Sequence, residues 1–391
     1  MPAEGDENYL TTAEVARRLQ VKPETIYAYV SRGLLTSIRA RGRRGSLFDA
    51  AEVERLASRS VDHSGVVERI ESELTLLQDD ELYYRGHSAR TLATTSTVDH
   101  VANLLWTGQA QEEPPTTGRA FVVGREEVEL ARRAMGVVPE TARLTDRLRV
   151  AVAVLGAADP LRFDLSTPSV TPAAGRLIGT LVTALPGDYV SPRETLGARL
   201  WPKLSNDEPR PEVLDATLIL LADHGLAVST VAARVAASAR ANLYAVISAG
   251  LGALDGQYHG AAPTLAYEFL QRAQHDPLKA LSDQLRSGEP VPGFGHRIYQ
   301  HRDPRAEVLL ELLGDHPIAD TIAAIAERTP TFPNSDLAIA AIMHAYNFRP
   351  DAGDALFALA RMIGWTAHAL EEYAAPALRF RAMGIYTGRT T

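Results

Sequence analysis

From residue 66 onward, apolar residues return every three or four positions, the period of a helix with one buried face. The pattern runs through "EEVELARRAMGVV" (126–138), "TDRLRVAVAVLGAA" (145–158), "AAGRLIGTLVTAL" (173–185) and "DATLILLADH" (215–224). It continues through "PTLAYEFLQRAQ" (263–274), "PLKALSDQLRSG" (277–288), "RAEVLLELLG" (305–314), "IADTIAAIAER" (318–328), "DLAIAAIMHAYN" (336–347) and "DALFALARMIGWTAHALEEYA" (354–374). "SARTLATTSTVDHVANLLWTG" (88–108) reads as a helix stopped at Gly108, and "VSTVAARVAASARANLYAVISAGLGAL" (228–254) as one helical stretch. Proline- and glycine-bearing loops are expected between helices, as at 158–172 and 186–212. The one clear β-like pair in this part is "LTLLQDDELYYRG" (74–86), with Asp79-Asp80 as a hairpin turn. No repeat of fixed period stands out, and no Gly-rich phosphate loop follows a strand, which disfavours a Rossmann or P-loop enzyme.

The first sixty residues follow a different pattern. In "LTTAEVARRLQV", Thr11 precedes Glu14 by three residues, a capping-box spacing. A second helix opens at Pro23, a residue suited to the first helical position, and stops at Gly33. "LLTSIRARGRRGSLFD" then reads as a hairpin wing around Gly42 and Gly45. A further Asp49–Glu52 box opens a closing helix, and 57–68 reads as a polar linker. This order resembles the winged helix-turn-helix of excisionase-like and MerR-like proteins. The resemblance implies Thr25, Tyr27 and Arg32 on a recognition helix facing the major groove, and Arg39, Arg41, Arg43 and Arg44 on the wing against DNA phosphates or the minor groove. These sixty residues carry ten Lys/Arg against eight Asp/Glu, a net of +2, so a protein-docking role stands beside DNA binding.

Composition narrows the classes. At 391 residues the chain needs more than one core, and 46% hydrophobic with 23% charged residues is the profile of a folded protein. A net charge of -8 argues against a general polyanion binder, so nucleic-acid contact would need a local patch. There is no Cys, which excludes disulfides, thiolate nucleophiles and Cys-based metal sites, and fits a cytoplasmic location. The polar, acidic start "MPAEGDENYL" is unlike a signal peptide, and the longest apolar runs are too short to span a membrane.

Four places put ionisable groups at helix ends or glycine turns, where a rigid element aims a side chain and an open backbone admits a ligand. They are His224 in "LADHGLAVST", His259 in "LDGQYHGAAPT", His296 and Arg305 in "GFGHRIYQHRDPR", and Asp336 in "TFPNSDLAI". By residue type alone, the third stretch fits a metal site, a nucleic-acid patch or a small-anion pocket. The flanking arginines disfavour a cation there, and Asp336 alone is most simply a helix N-cap.

Taken together, these segments resemble the citrate synthase family over about residues 66–391. Its signature Gly-(Phe/Tyr)-Gly-His, followed nine residues after the His by the Arg of Asp-Pro-Arg, is matched by His296 and Arg305. "GQYHGAA", "FPNSD", "FALARMIGWTAHALEE" and "LRFRA" are similar to further family segments in the same order. The resemblance implies a mostly α, two-domain citrate synthase-like helical fold preceded by a small winged helix-turn-helix domain. The expected parts are 1–61, a large domain at 66–259 and 362–391, and a small domain at 260–361. It implies condensation of acetyl-CoA with oxaloacetate, or of propionyl-CoA to 2-methylcitrate, with His259, His296 and Asp336 as chemical groups. His224, Arg305, Arg361 and, from the partner subunit of a homodimer, Arg379 would bind oxaloacetate. No metal and no cofactor is implied, the CoA thioester being a substrate. Gln300 departs from the family, standing where a Lys or Arg often contacts CoA. A transcriptional regulator using the pocket as a metabolite sensor is the alternative.

Overall fold

The computed structural model describes residues 9–19, 21, 23–31, 35–39, 46–50, 52–53, 70–109, 120–256 and 259–380. The described residues form two compact units. One holds those up to Ile70 together with Leu378–Phe380, and the other is Glu71–Ala377.

In the first unit, β1 (Tyr9–Thr11) leads into α1 (Thr12–Arg18), followed by α2 (Pro23–Ser31), β2 (Ser37–Arg39) and β3 (Ser46–Asp49). The predicted capping box is present: Glu14 N donates to Thr11 Oγ1 at 3.4 Å and Thr11 N donates to Glu14 Oε2 at 2.8 Å. α2 starts at Pro23 as expected. The three strands form an antiparallel sheet in the order β1-β3-β2. The sequence pattern missed β1, because three residues carry too little alternation to register. Val15, Ile26, Leu35, Phe48 and Val53 close the small core. Glu52 N donates to Asp49 Oδ1 at 2.9 Å, as the second box requires. Arg32, Arg41, Arg43 and Arg44, the Gly33 stop and the linker at 57–68 lie outside the described residues.

The second unit opens with the expected hairpin, β4 (Thr75–Gln78) and β5 (Glu81–Tyr84), extended by a short β6 (His87–Ser88). Asp79 and Asp80 turn it at φ 53° and 56°, the left-handed conformation that short polar side chains tolerate. Helices follow: α3 (Ala89–Thr95), α4 (Val98–Thr107), α5 (Arg125–Met135), α6 (Leu144–Ala158), α7 (Thr167–Ala184), α8 (Leu196–Leu204) and α9 (Pro211–Leu221). Then come α10 (Val228–Ser238), α11 (Leu243–Leu254), α12 (Ala262–Ala273), α13 (Pro277–Ser287), α14 (Pro304–Leu313), α15 (Pro317–Ala326), α16 (Ser335–Ala345) and α17 (Ala352–Ala374).

Four expectations are corrected. The stretch 88–108 is two helices, because Thr97 adopts an extended cap and accepts from His100 N at 3.2 Å; the stop at Gly108 (φ 73°) holds. The stretch 228–254 is also two helices, broken at Arg240 (φ 60°) and recapped by Asn242. The expected loop 186–212 contains α8, capped by Thr195 and masked in sequence by Pro202 within it. The expected loop 158–172 ends early, since α7 starts at Thr167 and carries Pro172.

Most helices pack into one apolar cluster around α9 and α17, both buried on nearly every side. A second cluster is drawn from α12 to α16, with Phe269, Leu270, Ile322, Ile325 and Leu337 at its centre. α9 and α17 approach closely at Gly364, where a Cβ would meet Ala222 O at 2.4 Å and Asp223 Oδ1 at 2.5 Å. That contact positions the end of α9, from which His224 projects.

Candidate active site

The last turn of α9 leaves carbonyls that a helix cannot satisfy internally. Arg361 Nε donates to Leu221 O at 3.1 Å and Gly364 N donates to Ala222 O at 3.0 Å. Tyr84 Oη lies 2.9 Å from Ile219 O and 3.1 Å from Asp223 O. Asp223 then bends the chain: its Oδ2 accepts from Gly225 N at 2.9 Å and from Thr75 Oγ1 at 2.5 Å. Gly225 takes φ 63°. Behind Asp223 lies a buried charge network. His368 Nε2 is 3.2 Å from Asp223 Oδ1, and Arg234 Nη1 donates to His368 Nδ1 and to Glu371 Oε2, each at 2.6 Å. Arg234 Nε donates to Glu372 Oε1 at 2.6 Å. His224 is thus presented from a rigid corner, 7% exposed, with Nε2 3.0 Å from Tyr299 Oη.

The loop carrying His296 is stitched to the start of α16. Asn334 N donates to Gly293 O at 2.9 Å, Gly295 N to Phe332 O at 2.8 Å, and Asn334 Nδ2 to Gly295 O at 2.9 Å. Gly293 sits at φ 82° where a Cβ would meet Leu337 Cβ at 2.7 Å, so only glycine fits. His296 Nδ1 accepts from Ile298 N at 3.1 Å and Tyr299 N at 3.3 Å. A nitrogen that accepts from amides carries no proton, so the neutral ring bears its hydrogen on Nε2. The ring stands nearly perpendicular to His224, with centroids 5.2 Å apart. Asp303 caps α14 and also accepts from Ser335 N at 2.9 Å, tying the start of α14 to that of α16. The cap of α16 is Asn334 and not Asp336, because Asn334 Oδ1 accepts from both Asp336 N and Leu337 N. Asp336 is therefore spared from capping.

His259, between α11 and α12, has Nε2 2.7 Å from Ser229 Oγ on α10. Phe357 on α17 lies between it and Arg361, 5.7 Å from the His259 ring and 4.6 Å from the guanidinium carbon. Two buried arginines dominate the electrostatics. Arg305 is held by Asp303, while Arg361 Nη1 is buried with no protein partner among the described residues. Burial, then Arg305 and Arg361, hold His224 well below the usual imidazole range. Burial and Arg361 lower His259 to about 4, and burial and Arg305 lower His296 to about 4. Burial raises the half-buried Asp336 carboxyl to about 6; Arg305 and Arg361 oppose the rise, and Asp303 and Asp354 add to it. His224 and Asp336 feel both guanidinium groups, His259 feels Arg361 and His296 feels Arg305, so the two arginines link the four groups into one site. It holds three neutral imidazoles, one weakly acidic carboxyl and a buried guanidinium with donor capacity to spare.

A family model described as "Citrate synthase, C-terminal domain" matches residues 65–381. The chain belongs to the citrate synthase family. It is 30% identical to a citrate synthase from Haloferax volcanii over 364 residues, covering 81% of this chain and 93% of that one. It is 29% identical to a 2-methylcitrate synthase from Mycobacterium tuberculosis, covering 80% and 86%. Citrate synthase from Thermotoga maritima superposes with a TM-score of 0.67 at 25% identity, covering 83% of this chain and 95% of that one. The Thermoplasma acidophilum citrate synthase, a ternary complex with carboxymethyl coenzyme A and oxaloacetate, shares the fold with a TM-score of 0.68 at 22% identity, covering 85% and 97%. A helix-turn-helix domain model matches residues 9–60.

Within this citrate synthase-family chain, His224, His259, His296, Arg305, Asp336 and Arg361 gather as described. Arg379 falls with the first unit, its guanidinium 5.2 Å from the Phe380 ring. Thr25 and Tyr27 lie on α2, Tyr27 being 62% exposed. Arg302 pairs with Glu81 and with Glu307. Sequence reasoning missed Ser229, Tyr299, Phe357 and the Asp223–His368–Arg234 network. Tyr299 sits inside the quoted signature, so its position was visible, but its partner His224 is 75 residues away.

Proposed function

We propose that this chain condenses acetyl-CoA with oxaloacetate and hydrolyses the resulting thioester, giving citrate and free CoA. The observation carrying the reading is Arg361: a guanidinium 1% exposed, with Nη1 left without a hydrogen-bond partner among the described residues, calls for an anionic partner. Oxaloacetate supplies two carboxylates, which Arg361, Arg305 and His224 would hold, with Arg379 entering from a second subunit of a homodimer. Asp336 is the base that takes a proton from the thioester methyl, its raised value suiting it to a weak carbon acid. With the Ser229 hydroxyl donating to Nε2 of the neutral His259, 2.7 Å away, Nδ1–H would be left to stabilise the enol oxygen. The enol carbon attacks the keto carbon while Nε2–H of His296 hydrogen-bonds the forming alkoxide, and the proton released by the methyl group ends on that oxygen, restoring Asp336 as a carboxylate. Water cleaves the thioester, and CoA leaves as the thiol. Each step uses neutral imidazoles as donors, so no extra charge enters a site already holding two arginines.

The similarity to a 2-methylcitrate synthase supports a second substrate, propionyl-CoA. One methylene in an acyl pocket separates the two by only about 1–3 kcal/mol. Comparing kcat/KM for acetyl-CoA and propionyl-CoA, with products identified by mass, tests the choice. The helix-turn-helix match and the exposed Tyr27 support DNA recognition by the first unit, and a homodimer would offer two such units to paired half-sites. No helix among the described residues is long and apolar enough to cross a membrane.

A further inference from the structure

We propose that Tyr299 is a positioning residue that fixes His224 as its Nδ1–H tautomer, so that this ring meets the substrate as a neutral hydrogen-bond donor. The inference rests on the reading of the site as one that binds oxaloacetate. Tyr299 is 2% exposed, and its hydroxyl has His224 Nε2, 3.0 Å away, as its partner. Burial pushes the phenol up, so it keeps its proton. A buried O–H that donates to nothing is costly, and here the acceptor is Nε2. His224 therefore accepts at Nε2 and carries its hydrogen on Nδ1, the ring nitrogen with no protein partner among the described residues. Burial, and then Arg305 and Arg361, keep a second proton off the ring. The result is opposite tautomers on two facing histidines, Nδ1–H on His224 and Nε2–H on His296, both presenting donors without charge.

The backbone is built to hold the hydroxyl there. Four consecutive amides around Tyr299 are all engaged. Those of Ile298 and Tyr299 donate to His296 Nδ1, and those of Gln300 and His301 donate to the two carboxylate oxygens of Asp80 at 2.6 and 2.9 Å. Asp80 stands at the tip of the β4–β5 hairpin, so this hairpin reaches across to clamp the segment. The Tyr299 ring also lies 4.8 Å from His296 and 5.4 Å from the Arg305 guanidinium carbon. One aromatic residue thus touches three of the site's groups while itself bearing no charge.

The test is Tyr299→Phe, which keeps the ring and removes the hydroxyl. Histidine-labelled protein gives the tautomer of His224 from its long-range proton–nitrogen correlations, without any substrate. The wild type should show Nδ1–H at His224, and the variant a mixed or Nε2–H ring. KM for oxaloacetate should rise about tenfold, the scale of one well-placed hydrogen bond, with kcat changed much less. A wild-type His224 in the Nε2–H form overturns the proposal, and does so even where the variant fails to fold. A variant with unchanged tautomer and unchanged KM overturns it as well. Should the wild type bind oxaloacetate calorimetrically but release no CoA, with the tautomer and its loss in the variant as expected, the catalytic reading falls and the role of Tyr299 stands.

Discussion

Asp303 grips Arg305 through both carboxylate oxygens, Oδ1 at 2.9 Å from Nε and Oδ2 at 2.8 Å from Nη2. The pair is two residues apart in sequence and buried, and the same carboxylate receives the amide of Ser335, next to Asp336. Arg305 is therefore pre-oriented, and its charge is set at a fixed place relative to the base. Replacing Asp303 by Asn leaves a buried guanidinium uncompensated, at a cost of about 3–5 kcal/mol. Chemical denaturation should register that loss, and KM for oxaloacetate should rise at least about tenfold. Equal stability and equal KM would show that Asp303 does not organise the site.

Asp336 yields a prediction with opposite signs for activity and stability. Its carboxyl ionises at about 6 in the folded chain against an ordinary 3.8. The penalty for ionising is absent below 3.8, grows as pH rises to about 6, and is constant above that. Asp336→Asn removes it, so the variant should be more stable than wild type at pH 8 by about 2 kcal/mol, allowing for partial solvent access, and no more stable at pH 3.5. Turnover should fall by about a thousandfold or more, and the acid limb of wild-type kcat/KM should lie near pH 6. A variant destabilised at pH 8 contradicts the electrostatic picture.

These two carboxylates illustrate what the sequence makes legible. His224, His259, His296 and Asp336 stand out because each breaks an apolar helical period at a glycine or proline turn. Asp303 stands directly before Pro304, a spacing that suits a helix start, but its bond to Ser335 joins residues 32 apart and leaves no local trace. Arg234 and His368 sit inside long helical stretches, where a polar residue reads as a solvated face until the fold buries it. The breaks at Thr97 and Arg240 were hidden for a related reason: the flanking residues favour helix, and one cap decides where it stops. That the chain is mostly helical was legible from period alone, because tertiary contacts modify helix ends more than they modify which face is apolar, whereas the citrate synthase-like arrangement came from the family resemblance.

Gly364 predicts a remote effect on substrate binding. A methyl group there would overlap Ala222 O and Asp223 Oδ1, pushing α9 off α17. Gly364→Ala should cost about 1–3 kcal/mol in urea and weaken oxaloacetate binding by displacing His224. Unchanged affinity would separate the corner at Asp223 from the site.

For the first unit, replacing both Arg43 and Arg44 by Ala should flatten the salt dependence of a DNA mobility shift. Two lost phosphate contacts reduce the log–log slope by about 2. An unchanged slope removes these arginines from any DNA contact.

The most direct measurement is release of free CoA thiol by the purified chain supplied with acetyl-CoA or propionyl-CoA. Release that requires oxaloacetate, and that is lost in Asp336→Asn, is the predicted result. No oxaloacetate-dependent release with either thioester at saturating concentration, while oxaloacetate still binds, would contradict the account and leave the pocket as a sensor.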